Sequence, residues 1–493
     1  MGKRGPPLKV LFLTHEPLTD VIAGPSIRVW ELAHLLGRAG HTVTIGTPNQ
    51  HPRQSPIVEV RSFSGGAMSE LVRSHDITIG FGYVLREYPA IRRLAHYLVM
   101  DVYGPFLLEN LHLYGELGMS DRLAIHQRGV DVVLEQLQAA DFLICASERQ
   151  RDFWLGALSV ANRINPYTSE ADPSLRALID VVPFGLPAEP PRPSRSGIKG
   201  LVPGIAETDI VVLWWGGIWN WFDPVTAIEA MASLGSDVPG LKLYFTGVDH
   251  PNPRNPKMAM SRMARERAQD RRLLNRTVFF NEGWIPYDQR MNYLCDADLA
   301  ISLHREHAET RLSFRTRFLD CLWASLPIVA TRGDVLCDAA VAAGAGVDVP
   351  EGDVPAVAGA LRELALAPER RAEMRRRAAA LAARYTWQEV ARPLLAYCER
   401  PHRAADAGHD DLQFPRVKPP SSLQLAVAAY RLQGVPGVTR RAGRLLRRRV
   451  GKLRGGLFDG ARLLRRAIQV WRTAGMRGVA RKAATRLRRP GPM

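Results

Sequence analysis

Short apolar runs alternate with longer stretches of helical periodicity through the first 400 residues. Residues 9–13, 42–46, 57–60, 77–80, 97–101, 142–146 and 180–182 each read as a short buried strand. A Gly24-Pro25-Ser26 turn opens a helix over residues 27–39, and Gly40 ends it. Apolar runs of this length, separated by helices of ten or more residues, predict a parallel, doubly wound sheet. The segment 186–199, LPAEPPRPSRSGIK, is rich in Pro and Ser and reads as a linker. The pattern then restarts with a strand at 210–215, a Gly216-Gly217 turn and a helix at 224–233. Further strands fall at 241–246, 278–281, 299–303, 327–330 and 346–349, and helices at 369–384 and 387–400. The fold class is therefore α/β. Two Rossmann-like domains, 1–190 and 200–385, face each other across a cleft. A helix at 386–400, a linker at 401–420 and a tail at 421–493 follow.

Composition changes this picture at one end only. With 46% hydrophobic and 23% charged residues the chain reads as globular. Its net charge of +17 is concentrated at the C-terminus: residues 431–493 hold 19 Lys/Arg and one acid, Asp459. The rest is close to neutral. In residues 457–472 the apolar Leu457, Ala461, Leu464, Ile468 and Trp471 recur at helical spacing, with arginines largely elsewhere on the wheel. Such an Arg-rich amphipathic helix suits an anionic membrane surface. A partner-binding or disordered tail is an alternative, and so is nucleic acid, although aromatics for base stacking are scarce. The five cysteines, an odd number, form no C-x-x-C pair and no metal-ligand set, which argues for a reducing cytoplasm and no disulfide framework. The apolar run at 10–13 is too short for a signal sequence, Pro6 breaks a myristoylation motif, and no run approaches a membrane span.

Candidate chemistry gathers between Ser302 and Asp334. A helix is expected to begin near Ser313, with Arg315 and Arg317 at its start and Asp320 one to one and a half turns on. Backbone N–H groups and guanidinium cations suit phosphate, and a carboxylate suits sugar hydroxyls. The plain alternative is a charged helix face turned to solvent.

Taken in order, several pieces resemble the glycosyltransferases of family 4, retaining enzymes of GT-B fold. These are Gly24-Pro25 with the helix ending Gly40-His41-Thr42-Val43; Val182-Pro183-Phe184-Gly185; Gly216-Gly217; Gly283-Trp284-Ile285-Pro286; Ala297-Asp298; and Asp320 seven residues before Pro327. The resemblance covers about residues 8–400 and implies that the helix at 386–400 crosses back to the first domain. It implies a nucleotide-diphosphate sugar as donor substrate, with no separate cofactor and no metal. Asp320 would hold the ribose, Gly24, Gly216 and Gly217 would admit the diphosphate, and Trp284 and Ile285 would line the nucleobase. The chain departs from the family at the glycine turn, where Gly217 and Phe222 stand in place of an Arg and a Lys. Arg315 and Arg317 are the expected replacements. The family's first paired glutamate falls on Leu312, so Glu309 or Ser313 is expected to meet the sugar instead.

On the acceptor side, Asp101 and Glu109 follow a strand end in DVYGPFLLE, and His15 follows the first strand. All three are candidates for acceptor hydroxyls, with turn capping the plain alternative for Asp101. The expected activity is transfer of a sugar, with retention, to a glycan or lipid-linked acceptor in cell-envelope synthesis. The enzyme would sit in the cytoplasm, peripheral to the inner face of the plasma membrane. Other GT-B chemistry (epimerisation or inverting transfer) and an inactive binding scaffold remain open.

Overall fold

The computed structural model describes residues 6–20, 22, 24–63, 67–247 and 257–415. The expected tail at 421–493 lies outside the described residues.

Seven strands form the first sheet: β1 (Lys9–Leu13), β2 (Thr42–Thr47), β3 (Glu59–Ser62), β4 (Ile77–Phe81), β5 (Tyr97–Asp101), β6 (Phe142–Cys145) and β7 (Ile179–Val181). Their spatial order is β3-β2-β1-β4-β5-β6-β7, and every pairing is parallel. The second sheet contains β8 (Ile210–Gly217), β9 (Leu241–Gly247), β10 (Val278–Phe280), β11 (Leu299–Ser302), β12 (Ile328–Thr331) and β13 (Gly346–Val349). It is also parallel, in the order β10-β9-β8-β11-β12-β13. The two doubly wound sheets match the architecture expected from the alternating pattern. Val10, Leu11, Phe12 and Leu13 are all sealed from solvent because helices cover both faces of β1, which is why the strand reads as an unbroken apolar run. Strand order reverses between β1 and β4 and again between β8 and β11. The carboxyl ends at such switch points are where open α/β sheets take ligands.

Boundaries shift by a residue or two, with three larger differences. The helix expected from Ser313 begins only at Thr316 (Thr316–Trp323). A separate helix, Ala308–Leu312, precedes it, capped by His307 whose ring accepts from the Thr310 N–H. The crossing helix is two pieces, Trp387–Val390 and Arg392–Glu399, because Pro393 cannot continue the first. Tyr397 stacks on Phe142 at 4.6 Å and Trp387 packs on Phe184 at 4.9 Å.

Residues 401–415, read from the sequence as a linker, instead run along the first domain. Asp406 is buried against Arg163 at 2.7 Å, and Asn165 also donates to it. Tyr167 donates to Asp411, and Gln138 to the Pro415 carbonyl. The polar groups of this stretch serve a set of specific hydrogen bonds.

Candidate active site

The site begins where β8 ends. Gly216 has φ +79°, a left-handed conformation that a side chain would strain. Its N–H donates to Thr246 Oγ1 at 2.9 Å, and that hydroxyl donates to the Trp214 carbonyl at 3.1 Å. The turn is also crowded. A Cβ on Gly247 would stand 3.1 Å from the Trp284 ring and 3.2 Å from the Gly216–Gly217 peptide. Glycines here let β8, β9 and Trp284 close on one another, and backbone is left to meet a ligand. Ile285, the next residue, is buried.

Arg317 reaches this turn from the first turn of the helix Thr316–Trp323. Its Nη2 donates to the Gly217 carbonyl at 2.7 Å, and its guanidinium lies 3.9 Å from the centroid of Phe222. Nη1 has no hydrogen-bond partner among the described residues, although the residue is only 9% exposed. Burial, and then the charge of Arg315, pull its pKa down to about 9. A desolvated cation with an unused N–H beside a glycine turn is a receptor for an anion.

Arg315 has a different task from the one expected. Its Nη2 donates to Glu309 at 2.9 Å and to Thr310, and its Nε stands 3.5 Å from Asp334. All three charged groups are buried. An arginine between two carboxylates brings no net positive charge to a phosphate, so the expected pair of phosphate cations reduces to Arg317. Glu309 is likewise committed to Arg315. Ser313 is corrected too: its hydroxyl donates to the Thr310 carbonyl and to Asp334, and it ends a helix rather than beginning one. Phe222 connects the two arginines, with Arg315 4.7 Å from its centroid. Phe222 is thus the platform for both guanidinium groups.

Asp320 lies one turn beyond Arg317 and is partly exposed. Its Oδ2 accepts from Trp215 Nε1 at 2.8 Å, and its Oδ1 from Arg290 Nε at 3.3 Å. Two donors hold the carboxylate in place and leave it lone pairs for vicinal hydroxyls. Trp215 and Arg290 escaped the sequence reading. Trp215 sits in an apolar strand that explains it without any polar role, and Arg290 lies 30 residues from Asp320.

The first domain contributes its own switch point. His15 stacks on Phe81 at 5.6 Å and meets Tyr83 edge-on at 5.7 Å. Gly82, with φ +67°, makes this possible, since a Cβ there would stand 2.1 Å from His15 Nδ1. Gly24 opens the helix Gly24–Arg38, and a Cβ on it would stand 3.5 Å from the Tyr103 hydroxyl. Asp101 is withdrawn from the acceptor role. Arg28 donates to its two oxygens at 2.6 and 3.3 Å, and the Tyr103 N–H donates to one of them. Arg28 also holds the Val182 and Pro183 carbonyls, so this buried pair ties β5 to the end of the domain.

Glu109 does face the second domain. Burial and then the charge of Glu309 push its pKa up to about 7, with Arg315 opposing. Beside it, His112 of the first domain stacks on His307 of the second at 4.1 Å. Glu109, Glu309, Arg315 and Arg317 therefore belong to one charged cluster, while Asp320 lies one turn on along the helix of Arg317 and the glycine turn at the end of β8 meets Arg317 itself.

No protein-family model and no curated protein matches the chain. Solved structures do. Sucrose-phosphate synthase from Thermosynechococcus elongatus superposes with a TM-score of 0.56 at 16% identity, covering 78% of this chain and 96% of that one. HepE of Anabaena, in complex with UDP-glucose, gives a TM-score of 0.56 at 15% identity, covering 79% of this chain and 100% of that one. WaaG, a glycosyltransferase involved in lipopolysaccharide biosynthesis, gives 0.52 at 17% identity, covering 80% and 98%. At this identity the likeness speaks for the fold, and the chain has the two-domain GT-B fold of these glycosyltransferases.

Proposed function

We propose that this chain is a nucleotide-sugar-dependent glycosyltransferase that passes a sugar, with retention, to a glycan or lipid-linked acceptor. One observation carries the reading. Within a single helical turn, a buried guanidinium with an unused N–H stands at a left-handed glycine turn, and a doubly held carboxylate follows it. Diphosphate and ribose present those two chemistries at that spacing. In transfer, charge develops on the leaving diphosphate, and a preorganised cation in a site of low polarity favours that state over the ground state. Arg317 supplies the cation, Asp320 fixes the ribose, and the Trp284–Ile285 segment lies beside the turn where the base would sit. Glu109, from the acceptor domain, meets the acceptor hydroxyl.

UDP-glucose is the first donor to test, because HepE holds it in a similar fold. Incubation with UDP-, GDP- and ADP-sugars should release nucleoside diphosphate slowly with one of them, faster once an acceptor is supplied. Binding of a donor without turnover would support an inactive scaffold, and a sugar epimer recovered on the nucleotide would support an epimerase.

Association with an anionic membrane through residues 431–493 belongs to the same proposal, resting on their charge and pattern. No helix among the described residues is long and apolar enough to cross a membrane. Cosedimentation with anionic liposomes tests it, since a chain ending at residue 415 should stay in the supernatant while the full chain pellets. Equal partitioning would remove the idea.

A further inference from the structure

Arg290, which holds the proposed ribose carboxylate, is itself held by groups that lead out of its domain. Its guanidinium is sandwiched between two rings, 3.8 Å from the centroid of Tyr287 and 4.5 Å from that of Trp323. Nη1 donates to the Tyr287 carbonyl at 2.8 Å, and the side chain is 7% exposed. Each ring is in turn anchored across the hinge. The Tyr287 hydroxyl donates to Glu31 Oε1 at 3.2 Å, and Glu31 lies on the first domain's helix Gly24–Arg38. Trp323 Nε1 donates at 2.7 Å to the carbonyl of Glu189, in the interdomain segment. Glu31, Glu189, Tyr287, Arg290 and Trp323 line a cavity of about 480 Å³. At this point the two domains meet through individual hydrogen bonds around a void.

We propose that the Glu31–Tyr287 hydrogen bond is an interdomain latch that positions Asp320 for the donor nucleotide, through the stacking of Tyr287 on Arg290. Tyr287 and Glu31 are positioning residues and touch no substrate. The latch rests on the donor site proposed above, with Asp320 as its ribose carboxylate. With the latch made, the ring fixes the guanidinium, and the guanidinium fixes Oδ1 of the carboxylate. With it broken, the turn carrying Tyr287 and Arg290 loses its tie to the first domain, and the competent pose of Asp320 is populated only part of the time. Apparent affinity then falls by that fraction. The coupling is reciprocal, so a bound nucleotide also favours the latched arrangement of the domains.

The test removes one hydroxyl. Tyr287→Phe keeps the ring on Arg290 and deletes only the donor to Glu31. UDP, GDP and ADP are titrated into the full chain by calorimetry, and the nucleotide that binds the wild type is carried to the variants. Tyr287→Phe and Glu31→Ala should each weaken it about 5- to 10-fold, the worth of one hydrogen bond. Glu31→Gln, whose carbonyl accepts the same O–H, should stay within about twofold of the wild type. The nucleotide-sugar KM should rise in parallel while kcat holds. A lower melting temperature with unchanged nucleotide affinity in Tyr287→Phe would mean a merely structural bond and overturn the latch. If no nucleotide binds the wild type, the donor-site reading falls first and takes the latch with it. If the nucleotide binds equally well to all four proteins, the latch alone falls.

Discussion

Replacing Arg317 with methionine should separate activity from stability, because the folded chain holds that charge at a cost. Burial and the charge of Arg315 bring its pKa down to about 9, well below that of a free guanidinium, which corresponds to about 4–5 kcal/mol against the charged form. The hydrogen bond to the Gly217 carbonyl returns about 1.5–3 kcal/mol. Stacking on Phe222 returns about 1–2 kcal/mol more. The remainder runs from about 1 kcal/mol against removing the charge to about 2.5 kcal/mol in favour of it, which is close to neutral. Arg317→Met should therefore melt no more than a few degrees below the wild-type temperature and up to several degrees above it, at about 2–4 °C per kcal/mol for a domain of this size. If Arg317 is the one cation offered to the diphosphate, the same change should lower turnover about 10²–10³-fold. Arg315→Met is the contrast. It leaves Glu309 and Asp334 buried without their cation and should cost about 3–5 kcal/mol. Scanning calorimetry with a coupled assay of nucleotide release reads both quantities on the same preparations. Arg317→Met melting as low as Arg315→Met, or turning over near the wild-type rate, would refute this reasoning.

Two other outcomes follow from the same geometry. Glu109 has its pKa raised to about 7, so between pH 4.5 and 7 the folded chain holds a proton that the unfolded chain has lost. Its contribution to stability is then fully present below about pH 4.5 and is lost as the pH rises through 7; Glu109→Gln should flatten the melting temperature across that interval, and an unchanged slope would place the titration elsewhere. Asp406→Ala leaves Arg163 buried beside the Leu137 and Ala140 carbonyls without its carboxylate. That should destabilise the first domain by about 3–5 kcal/mol in urea unfolding, against a few tenths if residues 401–415 were a free linker.

The fold was legible in the sequence because buried parallel strands are unbroken apolar runs, and Lys9–Leu13 or Tyr97–Asp101 admit little else. The glycine turn and Asp320 were legible by spacing. What side chains do inside the cleft was not. Nothing local distinguishes Arg315 from Arg317, two residues apart. Only the folded chain shows that one is neutralised by Glu309 and Asp334 while the other faces the Gly216–Gly217 turn with an unused N–H. Asp101 misled for the same reason, since its partner Arg28 lies 73 residues away. Tyr287 and Glu31, 256 residues apart, left no local signal at all.

The central claim is that a nucleotide diphosphate seats its ribose on Asp320 and its phosphates at the Gly216–Gly217 turn. Titration calorimetry of UDP, GDP and ADP into the wild type and Asp320→Ala tests it most directly. The expected result is saturable binding of one nucleotide to the wild type, weakened about 10- to 100-fold by the loss of two hydrogen bonds to a charged acceptor. Equal affinity in the two proteins, or no binding by the wild type, would contradict it.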